Sequence, residues 1–298
     1  MAIRAGVLNQ LYFFLLFLVM ARKIIVTHQS PDLDALTSVW LIRRYRRGWK
    51  EAEITFVPSG STLTGADPDI DSHIMHVDTG FGLFDHHQTA EFTCASQKVL
   101  QFLLQKHLIR EQEIEALQRI VHVVNRYDHF KEALVSNADD DINAFSLNYI
   151  IGGLRIDQDH VNELVIMVEK ALDGLLFFMK SKVNAEKAIE GGSVIHTWWG
   201  KTLVLETDND TTMKLAFMKG FDMVIRFSPH YRNVSIKTHP RSRKTLKKLH
   251  QAIVKQDQYA QWFYHVSGRM LLNASTSATK DMVTKFNLGE LVKIVQSI

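Results

Sequence analysis

One stretch of the chain decides the fold: Lys23-Ile24-Ile25-Val26-Thr27-His28-Gln29-Ser30-Pro31-Asp32-Leu33-Asp34. It opens with an apolar, β-branched run that is typical of a buried strand. Pro31 biases the residue before it towards an extended conformation, so we expect a turn and then a helix. His28, Asp32 and Asp34 therefore fall in a strand-to-helix loop, at the positive end of the helix dipole. Ligands bind at such loops in parallel α/β sheets.

Further His and Asp side chains follow the later predicted strands. Asp78 lies in His76-Val77-Asp78-Thr79-Gly80, Asp85 begins Asp85-His86-His87, and Asp128 ends an amphipathic helix. Carboxylates mixed with imidazoles suit Mn²⁺, Mg²⁺ or Zn²⁺ rather than thiophilic metals. There are enough of them for two ions that share a carboxylate, and such ions, about 3.5–4 Å apart, hydrolyse phosphate esters. The sequence therefore predicts a two-metal phosphohydrolase.

Each of these residues also has a purely structural interpretation. Asp32 or Asp34 alone would be an ordinary helix N-cap. His76 shares a strand face with Asp78, so it is either a neighbour of the site or a packed core histidine. Asn125 lies one helical turn before Asp128 on the same side of its helix, and it competes with Asp128 for the role in the site.

The apolar periodicity predicts an α/β protein with a parallel sheet and flanking helices, a long connector helix, and a smaller mixed α/β C-terminal domain. Predicted strands of the first half occupy 23–27, 53–57, 73–78 and 82–85. Predicted helices there occupy 33–46, 96–107, 111–127 and a short stretch near 142–151. The long helix covers 159–190 and ends at Gly191-Gly192. Later strands are predicted near 193–198, 202–206, 222–228 and 233–238, and later helices near 211–219, 244–255 and 289–297.

These elements predict four parts: an apolar extension (1–20), a metal-binding catalytic domain (21–152), the connector helix (153–192) and a substrate-clamp domain (193–298). The extension has about ten consecutive apolar residues, whereas a spanning helix needs roughly twenty. We therefore expect no stable membrane insertion. Met20 is an alternative start, and export or anchoring is the alternative use of the extension.

Composition indicates an ordinary globular protein. The 298 residues are 46% hydrophobic and 22% charged, and the formal charge of +3 is too small to indicate nucleic-acid binding by itself. Cys94 is the one cysteine, which excludes an intramolecular disulfide and fits a reducing, cytoplasmic location. Oligomeric state is left open, with a homodimer as one option.

The ordered motifs resemble those of the DHH phosphoesterase superfamily: a histidine followed by D-x-D, a lone aspartate after a strand, the D-H-H triplet and a later aspartate. The resemblance covers roughly residues 20 to 130. It implies ligands for two divalent ions, Mn²⁺ first and Mg²⁺ as the alternative: His28 and Asp32 for one, Asp34, His86 and Asp128 for the other, and Asp78 as the bridge. It also implies that His87 faces the substrate phosphate and that Asp85 supports the histidines.

Two segments resemble the MYG1-type exonuclease branch of that superfamily. These are Phe84-Asp85-His86-His87-Gln88, and Phe263 to Arg269 followed by Asn273-Ala274-Ser275. That branch has a histidine where Asp32 stands, and a glycine-rich loop where this chain has Met270-Leu271-Leu272. The resemblance implies a phosphodiesterase or exonuclease that acts on short oligonucleotides or nucleotide phosphoesters.

The C-terminal half supplies candidate substrate-binding residues in and after a basic stretch: Lys237, Arg241, Arg243, Lys244, His265 and Arg269. A solvated helix start is the alternative interpretation of this stretch. Ser30-Pro31-Asp32-Leu33-Asp34 and Ser242-Arg243-Lys244 also resemble inorganic pyrophosphatases and polyphosphatases. A catalytically silent nucleotide-binding protein is the third option. Four aromatic residues are either base-stacking or core: Trp198, Trp199, Trp262 and Phe263.

Overall fold

A computed structural model describes residues 22–155, 160–274 and 282–298. The chain divides into two compact units, the first of which ends at Met179 and the second of which begins at Lys180. The predicted extension, 1–20, lies outside the described residues. The predicted division into catalytic domain, connector and clamp stays a prediction.

The first unit is built on a three-stranded parallel sheet with the order β2-β1-β3. Its strands are β1 (Ile24–His28), β2 (Glu53–Val57) and β3 (Ile74–His76). Ile25 and Val26 of the central strand are fully buried, as expected for a parallel sheet covered by helices. All three strands point the same way, so the loops after them meet at one edge.

The helices of this unit are α1 (Leu33–Tyr45), α2 (Ala95–Gln105), α3 (Glu111–Asp128) and α4 (Leu147–Leu154), and the long helix α5 (Val161–Glu190) begins in this unit and ends in the second. Short 3₁₀ helices cover Lys131–Leu134 and Asp141–Phe145. Helix α1 is buried continuously from Leu33 to Ile42, so it forms part of the core rather than a surface layer. The α/β architecture with a long helix is confirmed, and α5 leads into Gly191 as predicted.

The predicted strand at 82–85 is wrong. Phe84 makes one isolated parallel bridge to Val77, and the chain around it turns instead. Gly80 has a φ of 81°, and a Cβ on Gly82 would lie 2.7 Å from a side-chain carbon of Pro68. These glycines allow a tight loop against the segment around Pro68, which a continued strand would not fit.

The predicted helix near 142–151 is instead a 3₁₀ turn followed by α4.

The second unit contains a six-stranded mixed sheet with the order β4-β5-β6-β7-β9-β8. The strands are β4 (Ser193–Thr197), β5 (Gly200–Glu206), β6 (Met223–Ser228), β7 (Asn233–Thr238), β8 (Trp262–Tyr264) and β9 (Met270–Asn273). The helices are α6 (Thr211–Met218), α7 (Lys247–Gln256) and α8 (Leu288–Gln296). Strands β5 and β6 are parallel, and the remaining pairs are antiparallel.

The mixed α/β character of this unit is confirmed, but β8 and β9 were missed. Met270 to Leu272 stand in strand β9, which accounts for the absence of small residues there. Helix α7 begins at Lys247, so Arg241 and Lys244 lie in a turn rather than in a helix start.

Among the described residues, no helix is both long enough and apolar enough to cross a membrane.

Candidate metal centre

Asp32 is the N-cap of α1. Its Oδ1 accepts the backbone N–H of Asp34 at 2.9 Å and that of Ala35 at 3.0 Å. This oxygen of Asp32 therefore acts as an ordinary helix N-cap, which was the structural interpretation of the residue. Its other oxygen makes no hydrogen bond within the described chain and remains available as a ligand.

Asp34 caps a different helix. Its two oxygens accept the backbone N–H groups of Ala95, at 2.7 Å, and Ser96, at 2.9 Å, in the first turn of α2. Cys94, the N-cap residue of α2, makes no side-chain capping bond of its own. The fully buried carboxylate of Asp34 thus replaces the missing cap and joins α1 to α2.

Asp78 lies at the centre of the site, just after β3. Its backbone has a φ of 54°, a left-handed conformation that is uncommon outside glycine, and its N–H donates to the carbonyl of Phe84 at 3.0 Å. Oδ2 lies 3.3 Å from Nε2 of His28, and Oδ1 lies 3.3 Å from Nε2 of His86. One buried carboxylate therefore faces two histidines, one from each oxygen.

Asp85 positions His87. The buried carboxylate of Asp85 accepts the backbone N–H of Phe81 at 2.7 Å, and its other oxygen lies 2.7 Å from Nδ1 of His87. The His87 side chain is 55% exposed, whereas that of Asp85 is 1% exposed. With Nδ1 engaged by Asp85, Nε2 is the ring atom of His87 that remains for a ligand.

The last residue of α3, Asp128, joins the site, and Asn125 does not. Asp128 Oδ2 lies 3.7 Å from Nε2 of His86 and 3.3 Å from Nδ1 of His129. Asn125 is buried, and its amide donates to the carbonyl of Phe92 and to the Gln97 side chain. Asn125 therefore holds the segment before α2.

The candidate ligands form three groups in which the possible ligand atoms all lie within 4.8 Å of one another. The groups are His28–Asp32–Asp78, Asp34–His86–Asp128 and Asp78–His86–His87. The six residues proposed as ligands from the sequence are thus brought together, with Asp78 between the two histidines. His76 is not among them, because its ring bonds the backbone of Leu63 and Pro68 as a packed core histidine.

The carboxylates strongly affect one another's ionisation. Burial, and next the charge of Asp78, raise the pKa of Asp34 to about 7. Burial also raises the pKa of Asp128 to about 6, and that of Asp32 above its usual range. The neighbouring Asp78 carboxylate raises the pKa of His86 to about 9. The metal-free site therefore offsets part of its negative charge by binding protons.

The donor set fits divalent cations. Asp78 Oδ1 and His86 Nε2 are buried, and neither has a hydrogen-bond partner among the described residues, although the two atoms lie only 3.3 Å apart. Buried polar atoms without a hydrogen bond are rare, and a cation bound by both of these atoms would satisfy them. Four carboxylates would balance two dications with neutral imidazoles, and carboxylate with imidazole is a usual donor set for Mn²⁺.

An open cavity of about 310 Å³ gives access to the centre. It is lined by His28, Asp32, Ser59, Gly60, Asp78, Phe81, Asp85, His87 and Asp128. A second cavity of about 160 Å³ places Asn148 and Arg155 beside Asp32, Asp34 and Asp128.

Sequence reasoning missed three residues near the centre. His129 directly follows Asp128 and its Nδ1 also lies 2.9 Å from the carbonyl of Asn125, so its position next to a candidate ligand was an available signal. Phe81 and Arg155 line the two cavities, and no local motif distinguishes either of them.

The predicted substrate-binding residues lie in the second unit, where two separate segments contact each other. Arg269 donates from Nε to the carbonyl of Ser242 at 2.9 Å, so the turn that carries Arg241, Arg243 and Lys244 adjoins the turn that carries His265. The two chain segments are further joined by a bond from Leu246 N–H to the Gly268 carbonyl. Lys237 lies on β7.

The four aromatic candidates divide into two pairs. Trp199 and Trp262 are core residues, and their indole N–H groups bond Thr245 and Asp257. Trp198 and Phe263 are 51% and 55% exposed. Lys244 lies over the Trp198 ring, 4.9 Å from its centroid, and donates to the Trp198 carbonyl.

Comparison with known proteins identifies the family. Residues 25–179 match the family model described as ChrB, C-terminal domain, and the chain belongs to that family. The matched residues correspond closely to the first unit.

No curated protein matches the chain significantly. The solved structures include a similar chain, RecJ in complex with Mg²⁺ from Thermus thermophilus, at 12% identity and a TM-score of 0.30. The match covers 93% of this chain and 49% of the RecJ chain, so this protein spans about half of that length.

Proposed function

We propose that this protein is a two-metal phosphohydrolase that cleaves phosphodiester bonds in short oligonucleotides or nucleotide phosphoesters. The observation that carries the proposal is the geometry of Asp78, whose two oxygens each lie 3.3 Å from a different histidine. A carboxylate placed in this way is suited to bridge two ions. A single structural carboxylate would need only one such partner.

The proposed division of the ligands between the two ions follows two of the three groups of candidate ligands, with Asp78 added to the second group. His28 and Asp32 would hold one ion, Asp34, His86 and Asp128 the other, and Asp78 both. Two bound dications would supply Lewis-acid activation of water and charge neutralisation at the phosphoryl group. Mn²⁺ is the preferred ion in this proposal because imidazole nitrogens take part, with Mg²⁺ as the alternative.

His87 is proposed to bind the substrate phosphate. The Asp85 carboxylate accepts the Nδ1 proton, which leaves Nε2 free on a half-exposed ring at the cavity wall. Donation from Nε2 to a phosphate oxygen requires the imidazolium form of His87, in which both ring nitrogens carry a proton. Asp85 would then act as a positioning residue.

The cavity volume limits what the centre itself can hold. About 310 Å³ accommodates a phosphate with part of a nucleotide, so a longer chain requires a second surface. We assign that surface to the basic turns of the second unit, where Arg241, Arg243 and Lys244 adjoin Arg269. Exposed Trp198, beside Lys244, would provide a stacking face for a base.

Inorganic pyrophosphatase is the competing activity, since Ser242-Arg243-Lys244 lies in the same turn. The test is a panel of four substrates with purified full-length protein and Mn²⁺: pyrophosphate, adenosine 3′,5′-bisphosphate, a cyclic dinucleotide and a short RNA. We expect hydrolysis of the nucleotide substrates, loss of activity after metal removal, and recovery when Mn²⁺ is restored.

Three outcomes contradict this proposal. Full activity after exhaustive metal removal would exclude a metal-dependent reaction. Tight Mn²⁺ binding with no hydrolysis of any of the four substrates would favour the catalytically silent nucleotide-binding protein. Hydrolysis of pyrophosphate, with no hydrolysis of the three nucleotide substrates, would show that the protein is a pyrophosphatase and not a phosphodiesterase.

A further inference from the structure

A large basic cavity lies in the first unit at the end of α1 opposite to the metal centre. Asp32 and Asp34 stand at the start of this helix, and the cavity surrounds its last turn. A helix of 13 residues is about 20 Å long, so the two sites are separate. The cavity has a volume of about 740 Å³. Its cationic lining residues are Arg43, Arg44, Arg46, Arg47, Lys50 and Arg110.

We propose that this cavity binds the phosphate chain of a nucleoside polyphosphate or of an inorganic oligophosphate. The inference is independent of the proposed function, because none of the residues belongs to the metal centre. Inorganic oligophosphate and nucleoside polyphosphate share the same linear, multiply charged chain, and this chain is the group that the cavity would recognise.

Three of the arginines form the fixed wall of the cavity. Arg43 donates to both oxygens of Glu169 at 3.2 Å, and Arg44 pairs with Asp173. Arg110 pairs with the buried Glu113 at 2.9 Å. Paired arginines of this kind are held in place by geometry, and their remaining N–H groups stay available to a ligand. The buried Nε of Arg43 has no partner among the described residues.

The remaining cations give the cavity an excess of positive charge. Lys50 lies 3.8 Å from Glu51, and both side chains are almost fully exposed, so this pair contributes little. Arg46 and Arg47 have no carboxylate partner among the described residues. Two guanidinium groups are therefore left to attract an anion.

Arg46 is held in position although it lacks an acidic partner. Its guanidinium lies 4.4 Å from the ring centroid of Trp49 and 5.3 Å from that of Phe102, and it contacts the sulfur of Met75. Burial lowers its pKa, with no carboxylate opposing that effect. A cation fixed by aromatic rings loses little side-chain freedom when it binds a phosphate.

Favourable interaction with the helix dipole does not explain the positions of all six cationic residues that line the cavity. Cations in the last turn of a helix are stabilised there, and this accounts for Arg43 and Arg44. Arg47 and Lys50 lie beyond the end of α1, and Arg110 is the N-cap residue of α3. Convergence of cations from separate segments on one cavity indicates a binding site. The volume far exceeds that of one phosphate and matches a small-molecule site.

Calorimetric titration of the metal-free full-length protein with sodium tripolyphosphate tests the proposal. Metal is removed with a chelating resin so that the metal centre cannot take part. We expect saturable binding at one site, weakened at least tenfold in Arg46→Gln/Arg47→Gln. The matched control Arg22→Gln/Arg119→Gln removes two arginines from other parts of the same unit and should bind as the wild type does.

Further titrations distinguish the two sources of the phosphate chain. If ATP binds with the same affinity as tripolyphosphate, the cavity recognises only the phosphate chain. If ATP binds more tightly, the cavity also contacts the nucleoside. Adenosine should not bind. Arg47→Gln alone serves as the second variant if the double change disturbs Trp49, and it should weaken binding severalfold.

The proposal is overturned if the wild type does not bind tripolyphosphate, or if Arg46→Gln/Arg47→Gln and the folded Arg47→Gln bind it as tightly as the wild type. Unchanged binding would place the anion elsewhere, such as the basic turns of the second unit. Mn²⁺ titration of the same variants separates the two proposals. A protein that binds tripolyphosphate but no Mn²⁺ contradicts the proposed function and leaves this site intact.

Discussion

Asp78 is the residue on which the candidate centre depends most. Its left-handed backbone, with a φ of 54°, turns the carboxylate between His28 and His86 immediately after β3. Such a conformation is unfavourable for a residue other than glycine and persists where the surroundings enforce it. Here the enforcing contact is the bond from its N–H to the Phe84 carbonyl.

Asp78→Asn should therefore cost more activity than His87→Asn. We expect a loss of more than about 100-fold for Asp78→Asn, and about 10- to 100-fold for His87→Asn, which removes only an interaction with the substrate. Metal titration should show reduced occupancy in the first variant and near-normal occupancy in the second. Equal metal content in both variants would exclude Asp78 as the bridge.

Metal affinity should rise steeply with pH. In the metal-free protein Asp78 raises the pKa of His86 to about 9, and burial raises that of Asp34 to about 7, so both groups hold protons at pH 6. Bound metal must displace those protons. Affinity for Mn²⁺ should increase about tenfold per pH unit for each proton released, more steeply below pH 7 than above it.

Mn²⁺ titrations between pH 6 and pH 8.5 measure this dependence. Asp34→Asn serves as the control. It removes one of the two groups that hold a proton at pH 6, so the affinity for Mn²⁺ should rise less steeply with pH below pH 7. An affinity that is constant over this range would show that the two groups are not ligands.

At the scale of elements, helix α1 joins the two proposed sites and the core. Asp32 caps the start of α1, and Asp34 caps the start of α2. The residues of α1 from Leu33 to Ile42 are buried. The same carboxylates are thus helix caps and candidate ligands. Capping fixes their positions before any metal binds, which is how a site is preorganised.

Substitution of Asp32 by Asn and by Ala separates capping from metal binding. Asn keeps the side-chain acceptor for the N–H groups of Asp34 and Ala35, so the metal-free protein should be at least as stable as the wild type. Ala removes the cap and should lower the free energy of unfolding by about 1 kcal/mol, or the melting temperature by about 2–4 °C. Both variants should bind Mn²⁺ more weakly.

Thermal unfolding without metal and Mn²⁺ titration measure the two effects. Wild-type metal affinity in both variants would restrict Asp32 to its capping role. Equal stability of the Asn and Ala variants would show that the cap contributes nothing to the metal-free fold.

At the scale of the whole molecule, the two units carry different parts of the proposed function. The first unit contains the candidate centre and matches the ChrB C-terminal domain family. The second unit contains the basic turns in which Ser242 accepts a bond from Arg269. The proposal assigns chemistry to the first and retention of a phosphate chain to the second.

Neutralising Arg241, Arg243 and Lys244 together tests that assignment. The triple variant should raise KM for an oligonucleotide by about tenfold and flatten its salt dependence, because fewer cations on the phosphates release fewer counterions. A small phosphoester should be affected far less. The measurement is KM for both substrates at several salt concentrations.

The pyrophosphatase alternative predicts a different pattern for the same variant. The turn would then contact the only substrate, so turnover of pyrophosphate itself would fall. Arg232→Gln, an exposed residue in the turn between β6 and β7, serves as a surface control. An unchanged KM for both substrates would show that these turns are a solvated surface.

Local sequence patterns were sufficient for the fold class and for the kinds of ligand atoms at the candidate centre. Strand and helix periodicities are local, and so Ile24 to Asp34 already indicates a buried strand, a polar loop and a capped helix. Parallel strands bring their carboxyl ends to one edge, which made it possible to group His28 and Asp78 before their distance was known. His86 was added through the order of the motifs, since the strand predicted before it is a loop.

Which side chains meet depends on tertiary packing. The glycines at 80 and 82 turn the predicted fourth strand into a loop because Pro68 packs against it, a contact that local periodicity does not encode. Asn125 and Asp128 share a helix face, and only packing against the segment before α2 separated their roles. The basic cavity was missed for the same reason. Arg110 is distant from Arg46 in sequence, and folding alone places both in the lining of one cavity.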